Sequence, residues 1–166
     1  MSRARRWWWL PFALLACSSR PAPRANEASP GEWLARVKHA HERADGAIAA
    51  GELANASATL ERALEQPTPA ALRADDLRVV HQDLLFRLSE LAQRRNEPQR
   101  ALLLAERGLA LGRHEDLFSA NLLVARGRAL ALLARDTEAA SSYQEALAID
   151  ERLLRVALGG GAGGAP

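Results

Sequence analysis

One set of spacings, written three times, constrains this chain more than any other feature. Gly51, Ala56, Leu60 and Ala63 stand five, four and three residues apart; Asn96, Ala101, Ala105 and Gly108 repeat those intervals, and Ala134, Ala139, Tyr143 and Ala146 repeat them again. Intervals of three and four keep side chains on one helix face. Small residues at fixed places on that face let a neighbouring helix cross closely, where a larger side chain would hold it away. Self-similarity of this kind belongs to stacked units, each too small to bury its apolar face alone. It leaves little room for a sheet, and the chain between residues 31 and 157 contains no strand-like alternation.

The segments around the repeated positions read as six helices in three pairs. In "GEWLARVKHAHERADGAIAA", Leu34, Val37, Ala40, Ala44 and Ile48 mark one face, and Gly46 is a place where this helix is expected to break. "LANASATLERALEQ" follows and is stopped by Pro67 and Pro69. "ADDLRVVHQDLLFRLSELAQRR" repeats the first pattern with Asp75 or Asp76 as its N-cap. The next helix is expected to be capped by Asn96, with Pro98 in its first turn, and to end at Gly112. A long helix from about Leu117 to Ala134 and a last one from about Asp136 to Ala157 complete the set.

With small residues at two fixed places on the second helix and a large apolar residue between them, the pattern resembles the tetratricopeptide repeat; "SYQEALAID" is close to that family's wording. Among the first helices, Leu85, Leu88, Ser89 and Ala92 fit the family positions in the second pair. Leu123, Gly127 and Leu130 fit three of four in the third, where Arg126 departs, and Ala40, Arg43, Ala44 and Ala47 match weakly in the first. The period is irregular, 45 residues from Ala63 to Gly108 and 38 from Gly108 to Ala146, against about 34 for the standard repeat. Longer helices or inserted turns must absorb the surplus. The resemblance implies an all-α stack of helical hairpins, a tetratricopeptide-like α-solenoid of about six antiparallel helices over residues 31–157.

The N-terminus carries a different message. Arg3, Arg5 and Arg6 precede "WWWLPFALLA", ten residues that end at the only cysteine, Cys17. A bilayer-spanning helix needs about 20 apolar residues, so this stretch is too short to span. Its order of basic, apolar and small residues is that of a secretory signal. Leu14-Leu15-Ala16-Cys17 resembles the lipobox of bacterial lipoproteins. That resemblance implies a signal peptide over 1–16, cleavage before Cys17, lipid on Cys17 and, with Ser18 rather than aspartate next, sorting to the outer membrane. The alternative is a cysteine within a signal cut further on. A lone exported thiol would have no disulfide partner, whereas a lipidated one needs none. Residues 17–30, with three prolines and three serines, read as a lipidated cysteine and a flexible tether, and 158–166 as a glycine-rich disordered tail.

Charge narrows the partners. The chain has 22 basic and 20 acidic residues; without residues 1–16 the balance is 19 to 20, so the excess positive charge belongs to the leader. The remaining arginines are interleaved with acids along helices, which argues against nucleic acid. The exported part also lacks the strongly apolar, lysine-rich face of a membrane-active helix.

No constellation for chemistry stands out. His39 and His41 are two apart, and on a helix such residues point in different directions. His81 and His114 are solitary, and neither zinc spacing nor a phosphate-cradling loop occurs. The expectation is therefore no cofactor, no metal and no catalytic residue. A helical-repeat stack instead offers a groove lined by the first helix of each pair. In the frame above, that groove is lined by Lys38, His41 and Asp45, then Asp83, Phe86 and Glu90, then Asn121, Val124 and Arg128. Asp45, Asp83 and Glu90 suit a mixed or basic protein segment of an envelope complex better than a free carboxylate. The competing possibility is an accessory subunit or weak hydrolase of an envelope enzyme complex, using His39, His41 and Asp45.

Overall fold

The computed structural model describes residues 28–159, and the leader, Cys17, most of the tether and the end of the tail lie outside them. Six helices follow one another: α1 (Pro30–Ala49), α2 (Leu53–Leu64), α3 (Ala74–Arg94), α4 (Pro98–Ala110), α5 (Leu117–Leu132) and α6 (Asp136–Gly159). Each packs on the next, and α3 also touches α5. The fold is an all-α stack of three helical hairpins of the tetratricopeptide-like kind.

The three hairpin turns are copies of one another. Gly51, Asn96 and Ala134 all adopt left-handed backbone, with φ of 78°, 59° and 56°. Behind each, the chain closes the same pair of hydrogen bonds: Gly51 N–H to Ile48 C=O and Glu52 N–H to Ala47 C=O, Asn96 to Gln93 and Glu97 to Ala92, Ala134 to Ala131 and Arg135 to Leu130. This is the Schellman arrangement, which satisfies the last carbonyls of a helix and turns the chain sharply. Asn96 is therefore the turn residue itself and not an N-cap; Glu97 holds the cap position of α4 without a side-chain bond, while Pro98 does occupy the first turn. An alanine at positive φ is strained by its Cβ, so Ala134 keeps the turn geometry against its own preference.

Other local expectations shift. Gly46 does not interrupt α1, which runs on to Ala49; helix packing outweighs a glycine's cost of about 1 kcal/mol. Arg73, not Asp75 or Asp76, stands at the N-cap of α3, and both aspartates fall in its first turn, where they still complement the helix dipole. Helix α1 starts with a capping box, in which the Ser29 hydroxyl accepts from Glu32 N–H and the Glu32 carboxylate accepts from Ser29 N–H.

The irregular period has a concrete source. Helix α3 has 21 residues against 16 in α5, and α2 has 12 against 13 in α4. The proline-containing connection 65–73 is three residues longer than 111–116. Together these supply the seven residues that separate a 45-residue period from a 38-residue one. The long connection also changes the packing: no Cα of α1 comes within 8 Å of α3, whereas α3 and α5 do approach that closely.

Alanines and leucines fill the core. Ala56, Leu60 and Ala63 of α2 and Ala101 and Ala105 of α4 are buried, as are Ala139 and Ala146 of α6. In α1 the buried stripe is Trp33, Val37, Ala40 and Ala44; Leu34 faces outward and Trp33 takes its place. The largest polar side chain wholly inside, among the described residues, is Gln82, 0% exposed. Its amide N–H groups donate to Gly108 C=O at 3.0 Å and Gly112 C=O at 2.8 Å, and its oxygen accepts from Arg78 at 2.6 Å. Arg78 also pairs with Asp116 at 2.9 Å, and Asp116 caps α5 by accepting from Ser119 N–H. A buried hydrogen-bond network of this kind fixes one arrangement, here of the α4–α5 connection against α3.

Candidate partner-binding face

The three first helices α1, α3 and α5 carry the expected groove positions in equivalent registers. Lys38, Asp83 and Asn121 occupy one, His41, Phe86 and Val124 the next, and Asp45, Glu90 and Arg128 the third. Side-chain surroundings differ strongly among them. Lys38 is exposed and pairs with Glu42 along its own helix at 3.6 Å. Asn121 and Val124 are half-buried, and Val124 packs against a small apolar cluster of Ala120, Leu123, Ala146 and Ile149. Phe86 is half-buried and belongs to neither apolar cluster of the described residues.

Arg87 joins these positions across the gap between α1 and α3. One guanidinium nitrogen lies 2.6 Å from His41 Nδ1 and another bonds the Asp45 carboxylate. The second ring nitrogen of His41 stands 3.3 Å from Asp83. An arginine can only donate, so Nδ1 accepts and the imidazole is neutral with its proton on Nε2, facing Asp83. Between α3 and α5, Glu90 meets Arg128 at 3.4 Å, and the Gln93 amide donates to Ala125 C=O at 3.1 Å. Asp45 and Glu90 are thus each engaged by an arginine. The negative character read from the sequence is largely cancelled, since Arg87 lies one residue outside the groove register and gives no signal in the spacing.

His39 bonds Glu42 at 3.0 Å, whereas His41 bonds Arg87 and Asp83, so the two rings share no partner. Among the described residues, no group of three or more His, Cys, Asp or Glu is placed to hold a metal ion. His81 packs edge-on against Trp33, ring centroids 6.2 Å apart.

Two half-buried histidines, His41 and His81, make stability pH-dependent. Burial pushes the His41 imidazole below its ordinary value and Arg87 adds to this, against Asp83 and Asp45. Burial, then Arg107, lowers His81. In the unfolded chain a histidine titrates near about 6.5. Below that pH the unfolded chain binds protons that the folded chain refuses, so stability falls as the pH drops through the lowered folded values. Thermal melting followed from pH 8 to pH 5 should therefore show a falling midpoint, and His81→Phe should flatten part of the fall. A midpoint that stays level over that range would contradict the neutral, enclosed state of both rings.

No protein-family model, no curated protein and no solved structure matches the chain.

Proposed function

We propose that this chain is a lipid-tethered interaction module of the bacterial cell envelope, held by an acylated Cys17 at the outer membrane and facing the periplasm. In this reading the hairpin stack presents the α1–α3–α5 face to a protein or peptide segment of an envelope complex, and the module itself does no chemistry. The observation that carries the reading is the state of that face. Asp45 and Glu90 are paired with arginines of neighbouring helices, and Phe86 is left half-buried outside the core. An aromatic surrounded by neutralised charge is the composition of a binding hot spot within a polar rim. Because Asp45 and Glu90 are already engaged, a segment of mixed charge with one apolar anchor fits better than a strongly basic one.

The tether follows from the lipobox-like "LLAC" and the stretch after it, which carries nothing to pack. At about 3.1 Å per residue, an extended linker of this length holds the stack up to roughly 40 Å from the lipid surface. Several acyl chains, each methylene contributing about 0.8 kcal/mol, make such anchoring effectively stable. Cys17→Ser should release or mis-process the chain while leaving its helical circular dichroism unchanged. A mass spectrum giving an unmodified N-terminus downstream of Ser18 for the wild-type chain would end the tether proposal.

A further inference from the structure

Each second helix in the stack presents an equivalent set of side chains to what comes next. In α2 these are Ser57, Leu60 and Leu64, and in α4 Leu102, Ala105 and Leu109, all buried or packed on apolar clusters. The matching residues of α6 are Ala140, Tyr143 and Leu147, and they are exposed, with Leu147 57% accessible. Helix α6 also runs to 24 residues, twice the length of α2. Its added turns prolong the same stripe with Leu154 and Leu158, 58% and 77% exposed. Spacings of seven and four from Leu147 keep Leu147, Leu154 and Leu158 on one side of the helix over about 16 Å, and Tyr143, whose ring also covers Gly127 of α5, borders them. The inner side, Ala139, Ser142, Ala146 and Ile149, is occupied by the contact with α5.

We infer that the bare α6 stripe is a self-association surface, on which α6 of a second copy of this chain packs antiparallel about a two-fold axis. Charge selects this occupant. Glu151 and Arg155 border the stripe on its outer edge, and neither forms an ion pair with any described residue of its own chain. In an antiparallel pair related by a two-fold axis, the same edges of both helices face each other. A register that sets Leu147 against Leu158 of the second copy brings Leu154 to the centre and Glu151 against Arg155 of the second copy, twice. A parallel pair in register, with its two-fold axis along the helices, would instead put the two Glu151–Arg155 edges on opposite sides of the seam, where they do not meet. Residues 160–166 contain no large apolar side chain to cover the stripe. One helix pair of this length is a small interface, so the dimer is a weak one.

Sedimentation equilibrium of the full chain in density-matched detergent, from about 1 to 300 µM, covers the range for such an interface. The wild type should dimerise with rising concentration. Leu154→Glu should weaken dimerisation by about tenfold or more, as expected for a charge at the centre of an apolar contact. Leu103→Glu, equally exposed but on α4, should leave it unchanged. Glu151→Arg should weaken dimerisation, and adding Arg155→Glu should restore it. A chain that is monomeric throughout overturns the inference, whether the stripe is bare or is covered by another part of the same chain. So does association that is indifferent to Leu154→Glu, which would place the contact elsewhere.

Discussion

Trp33→Ala should lower the stability of the stack by about 3 to 5 kcal/mol, the range for truncating a large buried aromatic. The midpoint of thermal melting should fall by roughly 10 °C or more for a domain of this size. Trp33 is 0% exposed in the first turn of α1 and belongs to the main apolar cluster, with Val37, Ala40 and Ala44 below it on the same face. Its ring also meets His81 of α3. Because α1 and α3 have no close backbone approach, side chains of this reach link α1 directly to α3, beside the packing of α2 on α3. Leu34→Ala, one residue on and 43% exposed, should change stability by less than about 0.5 kcal/mol. Equal effects of the two substitutions in a melting experiment would mean that α1 is rotated from the face described.

The second large effect is expected at Gly108. A Cβ there would stand 2.6 Å and 2.7 Å from the two methyl carbons of Leu122 and 3.2 Å from its Cγ. Leu122 is itself 0% exposed and has no solvent to move into. Its methyls occupy the space that the equivalent Ala63 and Ala146 fill with their own side chains. Gly108→Leu therefore overpacks the α4–α5 crossing, an effect of typically 1 to 3 kcal/mol. It also displaces the carbonyl to which the buried Gln82 amide donates, and an unsatisfied buried donor adds about 1 to 3 kcal/mol. The sum is about 3 kcal/mol or more, read as a lowered urea midpoint with unchanged slope. Gly127→Leu is the milder comparison. There the obstacle is the Tyr143 ring at 2.6 Å, which is 38% exposed and has solvent on one side. A Gly108→Leu chain as stable as the wild type would contradict the crossing.

The spacing of small residues was enough to read the architecture, because those residues sit where backbones come together and their size is imposed by geometry. Ala56, Ala101 and Ala139 are buried for that reason, and Gly51, Asn96 and Ala134 mark the three turns. The sequence did not reveal the role of Trp33, which a three-to-four pattern starting one residue later assigns to Leu34. It did not reveal Gln82 either, since a buried amide becomes favourable only once the Gly108 and Gly112 carbonyls are brought to it from 26 and 30 residues away. On the candidate face, the register of the nine groove positions follows from the repeat. Their electrostatics do not, because Asp45 and His41 are engaged by Arg87 from another helix and Glu90 by Arg128 across the next interface.

The claim that the first-helix face binds a partner rests most directly on Phe86. The decisive measurement compares wild type and Phe86→Ala for two quantities, the melting midpoint of the chain and the proteins cross-linked to it in intact cells. The expected result is a midpoint close to wild type together with loss of a partner that the wild type captures, a hot-spot effect of about 2 kcal/mol or more in binding. A variant destabilised by about 3 to 5 kcal/mol, as for a buried phenylalanine, that still captures the same partner would place Phe86 in the core and contradict the assignment of the face.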